Sequence, residues 1–308
     1  MKRLIRIGTR GSKLAIAQSR WVKEQIESKY EDIRIELVKI KTKGDKILDS
    51  PLSKIGGKGL FVKEIENALL RKEIDIAVHS IKDVPFELPE GLEIAVYPKR
   101  EDPSDAFISY SFKRIEEIPE MAKIGTSSLR REVQIKRLKK DVRIVPIRGN
   151  VDTRLKKMET EKLDGIILAV AGLKRLGLFN KITQILPEEL MLPAIGQGAL
   201  GIETRIDDPE TKRLLSFLNH KETEICIKAE RSFLKELGGG CQIPIAAKAS
   251  IKGGRLQIKG LVSDLEAKRF LKETLTGDIT DPDSVGKKLA EHLLKKGAEQ
   301  ILKEVYHG

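Results

Sequence analysis

Lys123-Ile124-Gly125-Thr126-Ser127-Ser128-Leu129-Arg130-Arg131 reads as a short strand that passes through three hydroxyl residues into a helix. The same strand-then-helix pattern recurs at 142–146 and at 165–170. Upstream, residues 4–7 read as a buried strand, and Ser12 caps a helix with Leu14, Ala17, Trp21, Val22 and Ile26 on one face. Ile33, Ile35 and Leu37 alternate as a strand does, while Leu60, Phe61, Ile65, Ala68 and Leu69 form a helical stripe followed by a strand at 74–78. This alternation predicts an α/β fold with mixed, mostly parallel sheets and helices on both faces. A Pro- and Gly-rich stretch at 187–201 is expected to cross between lobes. From about 221 the pattern becomes one helix, then strands near 246–251, 256–262 and 270–276, then one long helix from 284 to about 305. That is a separate, small α+β domain.

A chain of 308 residues is too long for one compact core, and 40% hydrophobic residues suffice to pack an interior, which excludes bulk disorder. No apolar run is long enough to span a bilayer, so no membrane partner is expected. The N-terminus lacks the apolar core of a signal peptide, which makes the cytoplasm the expected location. Two cysteines, Cys226 and Cys241, are too few for a disulfide framework. The histidines are scattered without metal-ligand spacing, so no metal is expected.

Two glycine-rich motifs fail on context. Gly196-Gln197-Gly198-Ala199-Leu200-Gly201 matches G-x-G-x-x-G but runs from a proline loop into a strand, where a dinucleotide site needs a strand before and a helix after. Gly56-Gly57-Lys58-Gly59 lacks the Ser or Thr that a phosphate-binding P-loop needs for magnesium.

The net charge of +12 favours an anionic partner. Nucleic acid is not expected, because aromatics are only 4% and so stacking platforms are scarce. The basic residues concentrate instead at strand-to-helix junctions: Arg10, Arg130 with Arg131, Arg148 with Arg154, and Arg175. In open α/β sheets ligands bind outside the carboxyl ends of strands, so these positions point to one crevice. Arg130 and Arg131 fall in the first turn of a helix, where the helix dipole disfavours cations. Either an anionic ligand offsets that cost, or the arginines pair with Asp or Glu elsewhere. A polycarboxylate small molecule suits the arginine forks.

Several segments resemble the porphobilinogen deaminase family: Gly8-Thr9-Arg10-Gly11-Ser12, Val78-His79-Ser80-Ile81-Lys82-Asp83-Val84-Pro85, Gly125-Thr126-Ser127-Ser128-Leu129-Arg130-Arg131, Arg148-Gly149-Asn150-Val151, Leu168-Ala169-Val170-Ala171-Gly172-Leu173-Lys174-Arg175, Pro193-Ala194-Ile195-Gly196-Gln197-Gly198 and Glu236-Leu237-Gly238-Gly239-Gly240-Cys241. The resemblance runs from about Ile5 to the C-terminus. It implies three domains: 1–97 with 196–216, 98–195, and 217–308, the first two resembling type II periplasmic binding proteins with a site in the cleft between them. A solute-binding protein of the same fold is the alternative reading.

The resemblance further implies a cytoplasmic, monomeric transferase of haem-type tetrapyrrole biosynthesis. Such an enzyme joins four porphobilinogen units head to tail with loss of ammonia and releases hydroxymethylbilane. Its dipyrromethane cofactor would be held by a thioether to Cys241, on a glycine loop, whereas Cys226 suits an inert core position. Asp83 would be catalytic, stabilising positive charge on pyrrole nitrogens. Arg10, Lys82, Arg130, Arg131, Arg148, Arg154 and Arg175 would bind the acetate and propionate groups, with Gln18, Ser80, Thr126, Ser127 and Ser128 as neutral donors. Lys58 and Phe61 would belong to a flap at the start of a helix over 58–70.

Overall fold

The computed structural model describes residues 3–46, 59, 61–239 and 243–307. The chain divides into two compact units. Of the described residues, the first comprises those within 3–101 and 199–224, and the second those within 102–198 and 225–307.

The first unit is built on β1 (Arg3–Thr9), α1 (Lys13–Lys29), β2 (Ile33–Lys39), α2 (Lys63–Leu70), β3 (Ile76–Ser80), β4 (Leu92–Val96), β10 (Leu200–Arg205) and α6 (Pro209–Leu215). Its five-stranded sheet has the order β2-β1-β3-β10-β4. β1 is parallel to β2 and β3, and β10 is antiparallel to both β3 and β4, so β10 alone is reversed. Period-two alternation sends Ile5, Ile7, Ile76 and Val78 to one face, against Val22 and Ile26 of α1 and Leu215 of α6. Ala77 faces the other way, with Ile65, Ala68 and Leu69 of α2. Each fully buried Ile, Leu or Val side chain among these contributes roughly 1.5–3 kcal/mol.

Two details of this unit differ from the sequence reading. The buried face of α1 is Gln18, Ser19, Val22 and Ile26, while Trp21 is exposed. A stripe spaced by four lies under the sheet here, and Trp21 sits one position off it. Among the described residues α2 begins at Lys63, so Phe61 precedes the helix in a turn.

The second unit repeats the arrangement. It contains β5 (Asp105–Ile108), β6 (Lys123–Gly125), α3 (Leu129–Leu138), β7 (Arg143–Val145), α4 (Val151–Thr160), β8 (Gly165–Ala169), α5 (Val170–Arg175) and β9 (Gln184–Ile185). The order β7-β6-β8-β5-β9 again places one reversed strand, β5, fourth. Phe107, Ile124 and Ile167 meet Ile135 of α3 on one face. Ala106, Ile166 and Leu168 meet Met158 of α4 and Leu173 of α5 on the other. In each unit the reversed strand is the first one the chain enters after crossing over.

The same unit carries a three-stranded antiparallel sheet, β11 (Ile245–Lys252), β12 (Arg255–Ser263) and β13 (Phe270–Gly277). Against it lie α7 (Lys221–Glu236) and α8 (Pro282–Leu293), joined through Phe233, Leu289 and Leu293. The C-terminal helix is not continuous as expected. α8 passes through a π-type turn at Leu294–Ala298 into α9 (Glu299–His307), with Gly297 at φ 106. That left-handed conformation, open to glycine, breaks the helix. The G-x-G-x-x-G stretch is a turn leading into β10.

Candidate active site

In the first unit, β1 and β3 are adjacent and parallel, so their carboxyl ends share one edge. Their connections leave in opposite directions, which makes this the switch point of the sheet. Ser12 caps α1 by accepting a hydrogen bond from Ala15 N at 3.2 Å, which orients the helix just beyond Arg10. From α1, the buried Gln18 donates through Nε2 to Ser80 Oγ at 2.9 Å.

Ser80 ends β3 and leads into a single 3₁₀ turn, Ile81–Asp83. Ile81 and Val84 are buried on either side of the turn, and Ile81 N donates to Ala199 O at 3.0 Å. The turn is therefore anchored at both flanks while Lys82 and Asp83 are exposed. Among the described residues the Asp83 carboxylate has neither a hydrogen bond nor an ion pair. Arg10, half-buried, lies with Cζ 4.2 Å from the centroid of the Phe61 ring, a cation–π contact.

Behind the turn lies a polar pair that the sequence reading missed. His79 Nε2 and Glu203 Oε2 are 2.8 Å apart, and both residues are buried. Glu66 is buried as well, and burial, reinforced by the charge of Glu203, pushes its carboxyl up to about 7. The available signal was a strand, Ile202-Glu203-Thr204-Arg205, with three polar residues in a row, all of which prove buried.

In the second unit the parallel strands β7, β6 and β8 bring three junctions to one edge. Thr126 extends the β6/β7 ladder through N–H to Val145 O at 3.0 Å, and its Oγ1 accepts from Ser128 N at 3.2 Å. Ser127 Oγ donates to Ile147 O at 2.7 Å. The Thr126 and Ser127 hydroxyls thus shape the turn that starts α3.

Arg130 and Arg131 lie in the first turn of α3, and both are buried. Their partner is Asp105, the first residue of β5, with 0% of its surface exposed. Arg130 Nη1 donates to Asp105 Oδ2 at 2.7 Å and to Leu192 O at 2.9 Å, and Nη2 reaches Oδ1 at 3.3 Å. Arg131 donates to Oδ1 through Nε at 3.0 Å and Nη2 at 2.7 Å, and its Nη1 to Ile167 O at 2.8 Å. Gln197 Nε2 adds a further bond to Oδ1 at 3.0 Å. Burial alone would push the Asp105 carboxyl up, but the two guanidiniums outweigh it and hold it well below the usual carboxylate range. Burial likewise pulls Arg131 below its ordinary value, against the opposing effect of Asp105.

At the next junction Gly149 adopts φ 112, a conformation open to glycine, and its carbonyl accepts from Arg154 Nε at 2.9 Å. Arg148, beside it, has a buried Nη1 with no hydrogen-bond partner among the described residues. At the third junction Arg175 Nη2 donates to Gly198 O at 2.8 Å. Cys226 is buried on α7 with Ala229, Phe233 and Leu237. The chain leaves α7 through Gly238 and Gly239 and resumes at Ile243. Cys241 and Lys58 lie outside the described residues.

Among the described residues no cluster of His, Cys, Asp and Glu could hold a metal ion. The donors at these edges are guanidiniums, an ammonium, hydroxyls and amides. An orphaned buried arginine nitrogen and two arginines sharing one carboxylate fit a ligand rich in carboxylates, as a pyrrole cofactor with acid side chains would be.

Comparison with known proteins gives two family matches. The porphobilinogen deaminase dipyromethane cofactor binding domain matches residues 5–213, and the porphobilinogen deaminase C-terminal domain matches residues 224–295. A porphobilinogen deaminase of Geotalea daltonii is 53% identical over 98% of this chain and 95% of its own length. One of Geobacter sulfurreducens is 52% identical over the same shares. Among solved structures, the periplasmic aliphatic sulphonate binding protein SsuA from Escherichia coli is similar over 76% of this chain and 70% of that chain, at 12% identity and a TM-score of 0.41.

Proposed function

The chain belongs to the porphobilinogen deaminase family, and on that premise we propose how its residues serve the reaction. The protein condenses porphobilinogen units head to tail, with loss of ammonia, on a dipyrromethane cofactor, and releases hydroxymethylbilane. It is a transferase acting as a cytoplasmic monomer. Among the described residues no helix is long and apolar enough to cross a membrane. Its domains are 1–97 with 196–216, 98–195, and 217–308.

When bound, the dipyrromethane supplies the nucleophilic pyrrole carbon to which new units are joined. Cys241 holds it by a thioether. Arg131 and Arg154 take carboxylates of the cofactor, while Arg10 and Arg148 meet those of incoming porphobilinogen. Lys82, Arg130 and Arg175 add positive charge, Gln18, Ser80, Thr126 and Ser128 supply neutral donors, and Ser127, expected as a donor, instead spends its hydroxyl proton on Ile147 O and shapes the turn. Lys58 and Phe61 belong to a flap, with Phe61 against Arg10.

As ammonia leaves porphobilinogen, positive charge spreads onto its pyrrole nitrogen. Asp83 is the group that stabilises that charge. Its carboxylate is exposed and unpaired among the described residues, on a turn whose flanks are buried. A carboxylate held in advance does not have to reorganise as the charge forms. The same oxygen accepts the proton displaced when the new carbon–carbon bond forms.

The observation that carries the reading is the surplus of buried positive charge. Arg130 and Arg131 share the single carboxylate of Asp105, and Arg148 keeps a buried nitrogen without a partner among the described residues. Intact mass of the purified native protein tests it. The protein should weigh more than its sequence by one dipyrromethane, and Cys241→Ser should lose both that mass and turnover. An unmodified, fully active protein would overturn the assignment. Reversible uptake of porphobilinogen with no covalent mass and no product would favour a solute-binding protein instead.

A further inference from the structure

Arg130 and Arg131 are consecutive residues at the N-terminus of α3, each about nine-tenths buried or more. Two like charges in that position, where the helix dipole also opposes them, are not held together by α3 itself. What holds them is one carboxylate from a different strand. Oδ1 of Asp105 accepts from both guanidiniums and from Gln197, and Oδ2 accepts from Arg130. Each guanidinium also gives one N–H to a backbone carbonyl, Leu192 O or Ile167 O. Among the described residues three of the five N–H donors of each arginine are thereby used, and two on each are left for another acceptor. The cluster of two cations and one anion has one positive charge over.

Asp105 is itself fixed. It opens β5, whose four residues are all buried, and it pairs in register with Ala169 of β8. Gln197, which bonds its Oδ1, is tied to Pro103 O at 2.7 Å. We propose that Asp105 is a positioning residue: it presets the guanidinium planes of Arg130 and Arg131 so that their remaining donors meet one carboxylate of the bound pyrrole cofactor. This rests on the reading that these arginines hold cofactor carboxylates. Asp105 does not touch substrate. It acts through the two arginines, and its negative charge on its own opposes binding of another anion.

That opposition gives the test a sign. Asp105→Asn makes the cluster more positive. A purely electrostatic role for Asp105 then predicts easier cofactor assembly, whereas positioning predicts harder assembly. The full-length chain without cofactor, produced in a host that makes no porphobilinogen, is titrated with porphobilinogen, and the modified fraction is read by intact mass. The folded fraction is measured by circular dichroism on the same samples. Asp105→Asn should need roughly 10-fold more porphobilinogen, or above, to reach half conversion of its folded fraction, since displacement of about 1 Å at such a site costs on the order of 10²-fold. Asp105→Glu should recover part of the difference. A merely structural role would lower the folded fraction without moving the half-conversion point. Half conversion of Asp105→Asn at the wild-type concentration or below it overturns the proposal.

Arg131→Leu is run beside it. Loss of assembly in Arg131→Leu without a shift in Asp105→Asn sinks the positioning role alone. Normal assembly in both sinks the reading of the arginines beneath it. If Asp105→Asn does not fold, the wild-type chain without cofactor decides by NMR of the arginine Nε–H groups. A slowly exchanging Arg131 Nε–H signal before porphobilinogen is added is expected, since that group donates to Asp105, whereas the Arg130 Nε–H is one of the donors left for the cofactor. An Arg131 signal that becomes protected only after the cofactor forms overturns the proposal.

Discussion

Gln18 Nε2 donates to Ser80 Oγ across 2.9 Å, so the helix that follows β1 is pinned to the last residue of β3. The bond closes the base of the turn that presents Lys82 and Asp83. Ser80→Ala leaves the Gln18 amide, 4% exposed, without that partner. The cost should be about 1–3 kcal/mol, read as a lower midpoint of chemical unfolding. Ser80→Thr keeps the hydroxyl and should lose less.

Asp83→Asn preserves size and removes the charge. It should fold, bind porphobilinogen and keep the Cys241 adduct when supplied with preformed tetrapyrrole, while single-turnover rates fall by ~10²-fold or more. Asp83→Glu keeps the charge, displaced by about one methylene, and should retain more activity than Asn even though misplacement carries its own cost. An aspartate that only shaped the turn would tolerate Asn better than Glu, because Asn serves as a cap nearly as well as Asp. The ranking of the two variants decides the role.

The arginine junctions should separate into two classes. Arg131→Leu and Arg154→Leu should prevent assembly of the modified protein. Arg10→Leu and Arg148→Leu should acquire the adduct and then stall during elongation, with partly extended species resolved by anion exchange. Each lost charge pair in a desolvated site should cost roughly 2–5 kcal/mol. Normal turnover in all four variants would remove the strand edges from the site.

Glu66 gives the first unit a pH dependence of definite sign. Its carboxyl is raised from 4.5 to about 7, by burial first and then by the charge of Glu203, with His79 and Lys63 opposing and Glu64 reinforcing. Below pH 4.5 the group is protonated whether the chain is folded or not, and its contribution to stability is complete. Between 4.5 and about 7 the unfolded chain ionises first, so stability is lost as pH rises. Glu66→Gln removes this loss. The variant should gain on the wild type by up to about 3 kcal/mol as pH is raised through that window, measured by denaturant unfolding at a series of pH values.

The fold was legible because its signals are local. Alternation marks β2, period-four spacing marks α2, and a strand followed by a helix marks each junction, so the edges carrying Arg10, Arg130 and Arg148 could be placed without coordinates. The partners of those side chains were not legible. Asp105 lies 25 residues from Arg130, and nothing near it in sequence marks it as the carboxylate that two arginines share. His79 and Glu203 are 124 residues apart and meet only because β10 inserts beside β3. Trp21 misled because a stripe of apolar residues leaves open which of its edges meets the sheet. Gly297 misled because glycine is tolerated in helices often enough that a break there is decided by tertiary packing.

β10 has all six residues buried and lies between β3 and β4, yet it leaves the ribosome only after the whole stretch Asp102–Gly198 has been made. At ordinary synthesis rates that interval of about 100 residues takes roughly 5–20 s. During it β3 and β4 lack their shared neighbour, and the first sheet stays open along an apolar seam. The sheet of the second unit needs only strands between Asp105 and Ile185, so it can close while the earlier-made half of the molecule is still waiting. The five-stranded sheet of the second unit can therefore be complete while the first sheet still lacks its fourth strand, and the nascent first unit is the species with most to gain from a chaperone.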